Sequence, residues 1–224
     1  MKVLEKISES FAWNKDHQKL VSYLENKEVE KAITLSKQLF SHYEEVVKFP
    51  TIIEAAQQCF SNCFIQNRED KSFHVLAFEK AKNIRDAFFS GENKHFLNIE
   101  KILPVLKNFI ISNLKKGDFD SIDQAIKVHR EFLGTNLDVV SDKDFRRAIV
   151  QALFINLTNE ERLYNHNIDK IVKAFLWDKE YFLKGAASSA VEFWHDKGRS
   201  DRAREINSKY LWNPDSHLDK KKAA

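Results

Sequence analysis

Apolar side chains recur every three or four positions along almost the whole chain, and turn-forming residues are scarce. That period places one face of a helix toward a neighbour, whereas a half-buried strand alternates every two. Only five glycines and three prolines occur in 224 residues. A sandwich or barrel needs many tight turns, which such a composition does not supply. The chain therefore reads as all-α, with ten or eleven helices. Short links between consecutive helices predict antiparallel neighbours stacked as helical hairpins, either an irregular α-solenoid or a compact bundle.

The clearest unit is Asp178 to Pro214. One helix carries Tyr181, Phe182, Ala186, Ala187, Ala190, Val191, Phe193 and Trp194, and a second carries Ala203, Ile206, Tyr210 and Leu211. Gly198 is placed to end the first helix in a left-handed conformation, Ser200 to cap the second, and Asn213-Pro214 to stop it. The run Gly185-Ala186-Ala187-Ser188-Ser189-Ala190 has little side-chain bulk, so a neighbouring helix can approach closely, in ordinary packing or beside a ligand groove.

Earlier in the chain, Lys2–Phe11 predicts a short helix, and Asn14 or Asp16 caps a second one carrying Leu20, Val21, Tyr23 and Leu24. Glu28–Phe49 reads as one long helix ended by Pro50. Thr51 with Glu54 forms a capping box for the next. Asp70 caps a helix that runs to Gly91, and another follows to Lys116, kinked or split at Pro104. Ser121 with Gln124 forms a second capping box, opening Ile122–Leu133, which Gly134 closes. Thr135–Val140 marks a boundary, so that residues 1–214 form one helical domain or two halves, 1–134 and 141–214. Ser141 caps the helix that follows, and residues 215–224 form a flexible basic tail.

Three segments share a pattern in which a turn precedes an alanine by five to eight residues: Asn26 to Ile33, Gly117 to Ile126 and Gly198 to Ala203. The last resembles the second helix of a tetratricopeptide repeat, since Trp194, Gly198 and Ala203 keep that family's spacing of aromatic, turn glycine and small residue. Pro214 comes one place early, and Asn207 stands where the family has an aromatic. The resemblance implies stacked helical hairpins.

The charge is nearly balanced, with 36 basic and 33 acidic residues. No apolar run approaches the roughly 18–20 residues needed to span a bilayer, and the first residues lack a secretory signal. A soluble chain in the reducing cytoplasm is the expectation. Cys59 and Cys63 lie one turn apart on a helix face, flanked by Phe60 and Phe64, and read as small buried hydrophobes rather than as a disulfide or metal pair.

No phosphate-binding loop, nucleophile elbow or His-Glu-x-x-His motif is present. Glu92–His95 and Glu192–His195 each match Glu-x-x-His, a pattern used by di-iron helical bundles. Basic residues gather at Arg146-Arg147, at Arg199, Arg202, Arg204 and Lys209, and at Lys220-Lys221-Lys222. The expected function is a non-enzymatic, cofactor-free protein that binds another protein, with Trp177, Trp212 and Tyr210 as candidate anchors. One alternative is nucleic-acid binding through Arg199, Arg202, Arg204 and Lys209. The other is a helical metalloenzyme using the two Glu-x-x-His pairs.

Overall fold

A computed structural model describes residues 2–40, 49–65, 73–134, 142–159, 165–176 and 180–211. The described residues hold ten α-helices and no strand. These are α1 (Lys2–Glu25), α2 (Val29–Phe40), α3 (Pro50–Phe64), α4 (Phe73–Phe88), α5 (Ile99–Lys116), α6 (Phe119–Val128), α7 (Lys143–Leu157), α8 (Asn165–Ile171), α9 (Glu180–Asp196) and α10 (Ser200–Ile206). Among the described residues no helix is long and apolar enough to cross a membrane. The chain divides into two compact units, 1–109 and 110–224, and the division falls within α5. The expected boundary at Thr135–Val140 and the expected tail lie outside the described residues, as do Asp70, Ser141 and Asn213-Pro214.

In the first unit α1 packs on α2 and α3, and α4 packs on α2 and α3. The core holds Leu20, Leu24, Ala32, Ile52, Ala56, Phe60, Ala81, Ile84 and Phe88. Phe64 links Phe60 to Phe109 through edge-on contacts at 5.4 and 5.2 Å. Lys2–Glu25 is one continuous helix rather than two. Asn14 and Asp16 disfavour a helix interior by less than about 1 kcal/mol each, a small cost beside the burial of Leu20 and Leu24 further along the same helix.

Several helix starts differ from expectation. Pro50 opens α3 at its first turn, where its missing N–H costs nothing, and no side chain caps that end. The Thr51 hydroxyl is hydrogen-bonded to His17 Nε2 instead, at 2.9 Å. Asp118, not Ser121, caps α6, accepting from the Ser121 amide at 2.9 Å. Ser200 is the first helical residue of α10 and supplies no cap. Pro104 sits inside an unbroken α5; the break comes earlier, after a 3-10 turn over Gly91–Phe96.

In the second unit α7 packs on α8 and α9, α9 on α10, and α6 on α8. Gly117 adopts φ +74°, and a Cβ there would lie 2.7 Å from Ile155 Cγ2, so turn geometry and close packing both require glycine. A buried polar chain crosses this unit. Asn167 Nδ2 donates to Asn156 Oδ1 at 2.9 Å, and Asn156 Nδ2 donates to the carbonyls of Gly117 and Ala152 at 3.0 and 2.8 Å.

α6, α8 and α10 each run on into a five-residue π-helical segment, His129–Leu133, Val172–Leu176 and Asn207–Leu211. π turns make up well under 1% of residues in ordinary proteins. A common pattern accompanies them. The last residue is leucine in each, preceded by Phe132, Phe175 or Tyr210. Five places before the leucine stand Val128, Ile171 and Ile206, and eight places before stand Ala125, Ile168 and Ala203. Those six residues are buried. An apolar spacing of five suits a winding whose bonds close five residues back, as Gly134 N to His129 O does at 3.0 Å.

Candidate functional site

The Asp142 carboxylate caps α7, accepting from the amides of Asp144 and Phe145 at 3.0 Å each. The buried face of α7 then carries Phe145, Ala148, Ile149, Ala152, Leu153 and Leu157 at helical spacing. α9 buries the small residues Ala186, Ala187 and Ala190 and, near its C-terminal end, Trp194. Trp194 Nε1 donates to the Leu157 carbonyl at 3.0 Å, and Phe154 meets Phe193 edge-on at 5.9 Å. The C-terminal ends of α7 and α9 therefore lie together, and the two helices run in the same direction.

Toward their N-terminal ends the pair leaves a groove of about 570 Å³. Lys143, Arg146 and Arg147 line it from the first two turns of α7. Val150 and Phe154 continue that wall, Phe182 and Ala186 come from α9, and Gln151 and Ser189 add polar tips. Within the small-residue run Ala186, Ala187 and Ala190 are buried while Gly185, Ser188 and Ser189 are exposed. Tyr181, 60% exposed, lies against Phe182 with ring centroids 4.0 Å apart. Arg147 makes a long ion pair with Asp144 at 3.7 Å, between two mostly exposed side chains. Lys143 and Arg146 have no ion-pair partner among the described residues. The cavity joins apolar walls to a basic end.

Arg146-Arg147 was evident as a basic cluster in the sequence. Lys143, Val150, Phe154, Phe182 and Ser189 were not grouped with it. The signal lay on α7, where Lys143, Arg147, Val150 and Phe154 follow one another at intervals of three or four, with Arg146 beside Arg147. They form a second row beside the buried one.

The cations of the last described helix are largely engaged locally. Arg199 bonds Asp201 at 3.2 Å and holds that carboxyl below its usual range, helped by the Arg202 amide. Arg202 bonds Glu205 at 3.1 Å, and Arg204 Nε donates to the Ser200 carbonyl at 3.3 Å. Lys209 sits 5.2 Å from the centroid of the Tyr210 ring. Tyr210 is half-buried; burial pushes its phenol up to about 12, with further contributions from the charges of Asp169 and Glu205. Trp177 and Trp212 lie outside the described residues.

Glu192 and His195 are both exposed on α9, and Glu92 is exposed in the 3-10 turn. Among the described residues no three His, Cys, Asp or Glu side chains converge as a metal site. Cys59 is buried and Cys63 half-buried, both as free thiols. Burial pushes Cys59 up to about 11 and Cys63 to about 12, the latter also through Cys59. Neither has the electropositive, accessible setting of a reactive thiolate. His129, at the start of its π segment, is buried against Phe175 and Phe145 at 5.0 and 6.4 Å, and its Nε2 has no hydrogen-bond partner among the described residues. Burial, and secondarily Arg130, lowers its affinity for a proton.

No protein-family model, curated protein or solved structure matches the chain.

Proposed function

We propose that this protein is a non-enzymatic helical-hairpin module whose task is to hold another protein, with the groove between α7 and α9 as the docking site. The observation that carries the reading is the groove itself, an open trough with apolar walls of Val150, Phe154, Phe182 and Ala186 beside three cations. Apolar surface of that kind, edged by charge, is characteristic of interaction sites. The recurring pattern at the ends of α6, α8 and α10 supports an irregular stack of hairpins, an architecture that presents grooves between successive units.

The test fills the trough from its exposed rim. Ser189→Trp adds an indole at an exposed position of α9 while leaving the buried alanines untouched. Tagged intact and variant proteins, matched for helical circular dichroism, are used to capture partners from the source cells. Capture of a defined partner by the intact protein, and its loss with the variant, is the expected result. An identical captured set for both proteins, or none for either, refutes the groove as a docking site.

A further inference from the structure

We infer that the groove between α7 and α9 receives an amphipathic helix with acidic residues clustered at one end of its apolar face; the inference rests on the docking role just proposed. The shape comes first. The trough runs along α7 from Lys143 to Phe154, about 16 Å at 1.5 Å per residue. Its walls are helices, whose mid-helix backbone groups are already bonded within the helix. An extended segment laid against Val150, Phe154 and Phe182 meets no backbone donors or acceptors, and each amide it strands there costs about 1–3 kcal/mol. A helix satisfies its own backbone and reaches such a trough with side chains at i, i+3, i+4 and i+7. About eleven residues of partner cover that length.

Charge sets the chemistry. Lys143 and Arg146 are unpaired among the described residues, and Arg147 has only its 3.7 Å contact with Asp144. A neutral partner covering them removes water without giving anything in return, and a basic one adds repulsion. Carboxylates supply the missing charge. All three cations come from the first two turns of α7, so the acids belong at one end of the partner helix and the apolar anchors beyond them. A nucleic-acid strand fits less well, since most of the lining offers its phosphates neither charge nor donors.

The experiment is a selection of displayed random 14-residue peptides on the full chain, with binding of the winners measured in solution. The expected winners carry Asp or Glu at one end and apolar residues at helical spacing, and are lost on Ser189→Trp. They weaken about tenfold on the double reversal Lys143→Glu, Arg147→Glu, as two close charge pairs predict. Exchanging their acids for lysine restores binding to that variant. Winners that Ser189→Trp removes, but that are neutral or basic or indifferent to the reversal, overturn the acidic helix and leave the docking groove standing. Winners indifferent to Ser189→Trp, or no enrichment at all, overturn both. A single-stranded oligonucleotide that binds the groove more tightly than any peptide assigns it to nucleic acid and likewise overturns the inference.

Discussion

Asn156→Ala measures how much of the second unit depends on its buried polar chain. Asn156 is 1% exposed and Asn167 2% exposed. The Asn156 amide donates to the Gly117 carbonyl and to the Ala152 carbonyl, and its oxygen accepts from Asn167. Alanine removes all three bonds. The Ala152 carbonyl lies within α7 and keeps its helical partner, so its loss is small. The Gly117 carbonyl and the Asn167 amide are stranded away from water. At about 1–3 kcal/mol for each stranded group, the substitution costs about 2–6 kcal/mol, with any void adding to it. Asn167→Ala strands only the Asn156 oxygen and costs about 1–3 kcal/mol. In the double variant that stranded oxygen and that stranded amide are both gone, so its cost falls below the sum of the singles by about 2–6 kcal/mol. Urea unfolding followed by circular dichroism at fixed pH gives all three values. Strict additivity, or an Asn156→Ala cost under about 0.5 kcal/mol, refutes the view that these bonds organise the unit.

Two further outcomes follow from the same structure. Gly117 and Gly198 share a left-handed backbone, at φ +74° and +70°, yet only Gly117 has a neighbour in the way of a Cβ. Alanine at 198 costs about 1–2 kcal/mol of backbone strain, and at 117 about 1–3 kcal/mol more from overlap with Ile155; equal urea midpoints for the two variants contradict this. His129 binds its proton less readily folded than unfolded, so the unfolded chain protonates first. Stability then declines as pH falls through and below about 6.5, by at most about 1.4 kcal/mol per pH unit for one proton. His129→Leu flattens the profile between pH 7 and 5, above the range in which Asp123 titrates, because Lys170 holds that carboxyl low. A wild-type profile already flat there contradicts the assignment.

Helical period and glycine punctuation carried most of the fold into view. Gly91, Gly117, Gly134 and Gly198 all end or separate helices at positive φ, and Lys27 takes the same conformation between α1 and α2. The three turn-and-alanine segments likewise bury Ala32, Ala125 and Ala203. Caps were less legible, because Ser, Thr and Asp compete for the same orphan amides and tertiary contacts decide among them. Thr51 is drawn to His17, and Asp118 reaches the Ser121 amide before Ser121 can act as the cap. The π segments leave no mark at spacings of three and four. Their mark is a spacing of five, from Val128, Ile171 and Ile206 to the leucines that close each segment.

The groove illustrates why a candidate site can be half visible. Both ingredients stood in the sequence, the basic pair on α7 and the small-residue run on α9, but neither says which half of the run turns inward. The partner helix decides that through bulk. Near the C-terminal ends Phe154 finds Phe193, and Phe193 in turn meets Trp194 at 5.2 Å, so aromatic rings fill the space there. One or two turns earlier α9 offers Ala186 and Ser189 where α7 offers Val150 and Gln151, and nothing reaches across. The same small side chains that let α9 bury Ala186, Ala187 and Ala190 leave the rim beside them unfilled. Supplying that volume from within, by Ser189→Trp, should therefore leave the Ala186, Ala187 and Ala190 contact intact while abolishing whatever occupies the trough. A large loss of stability in that variant would instead mean that Ser189 is held against its neighbours, and the trough would then be packing rather than a site.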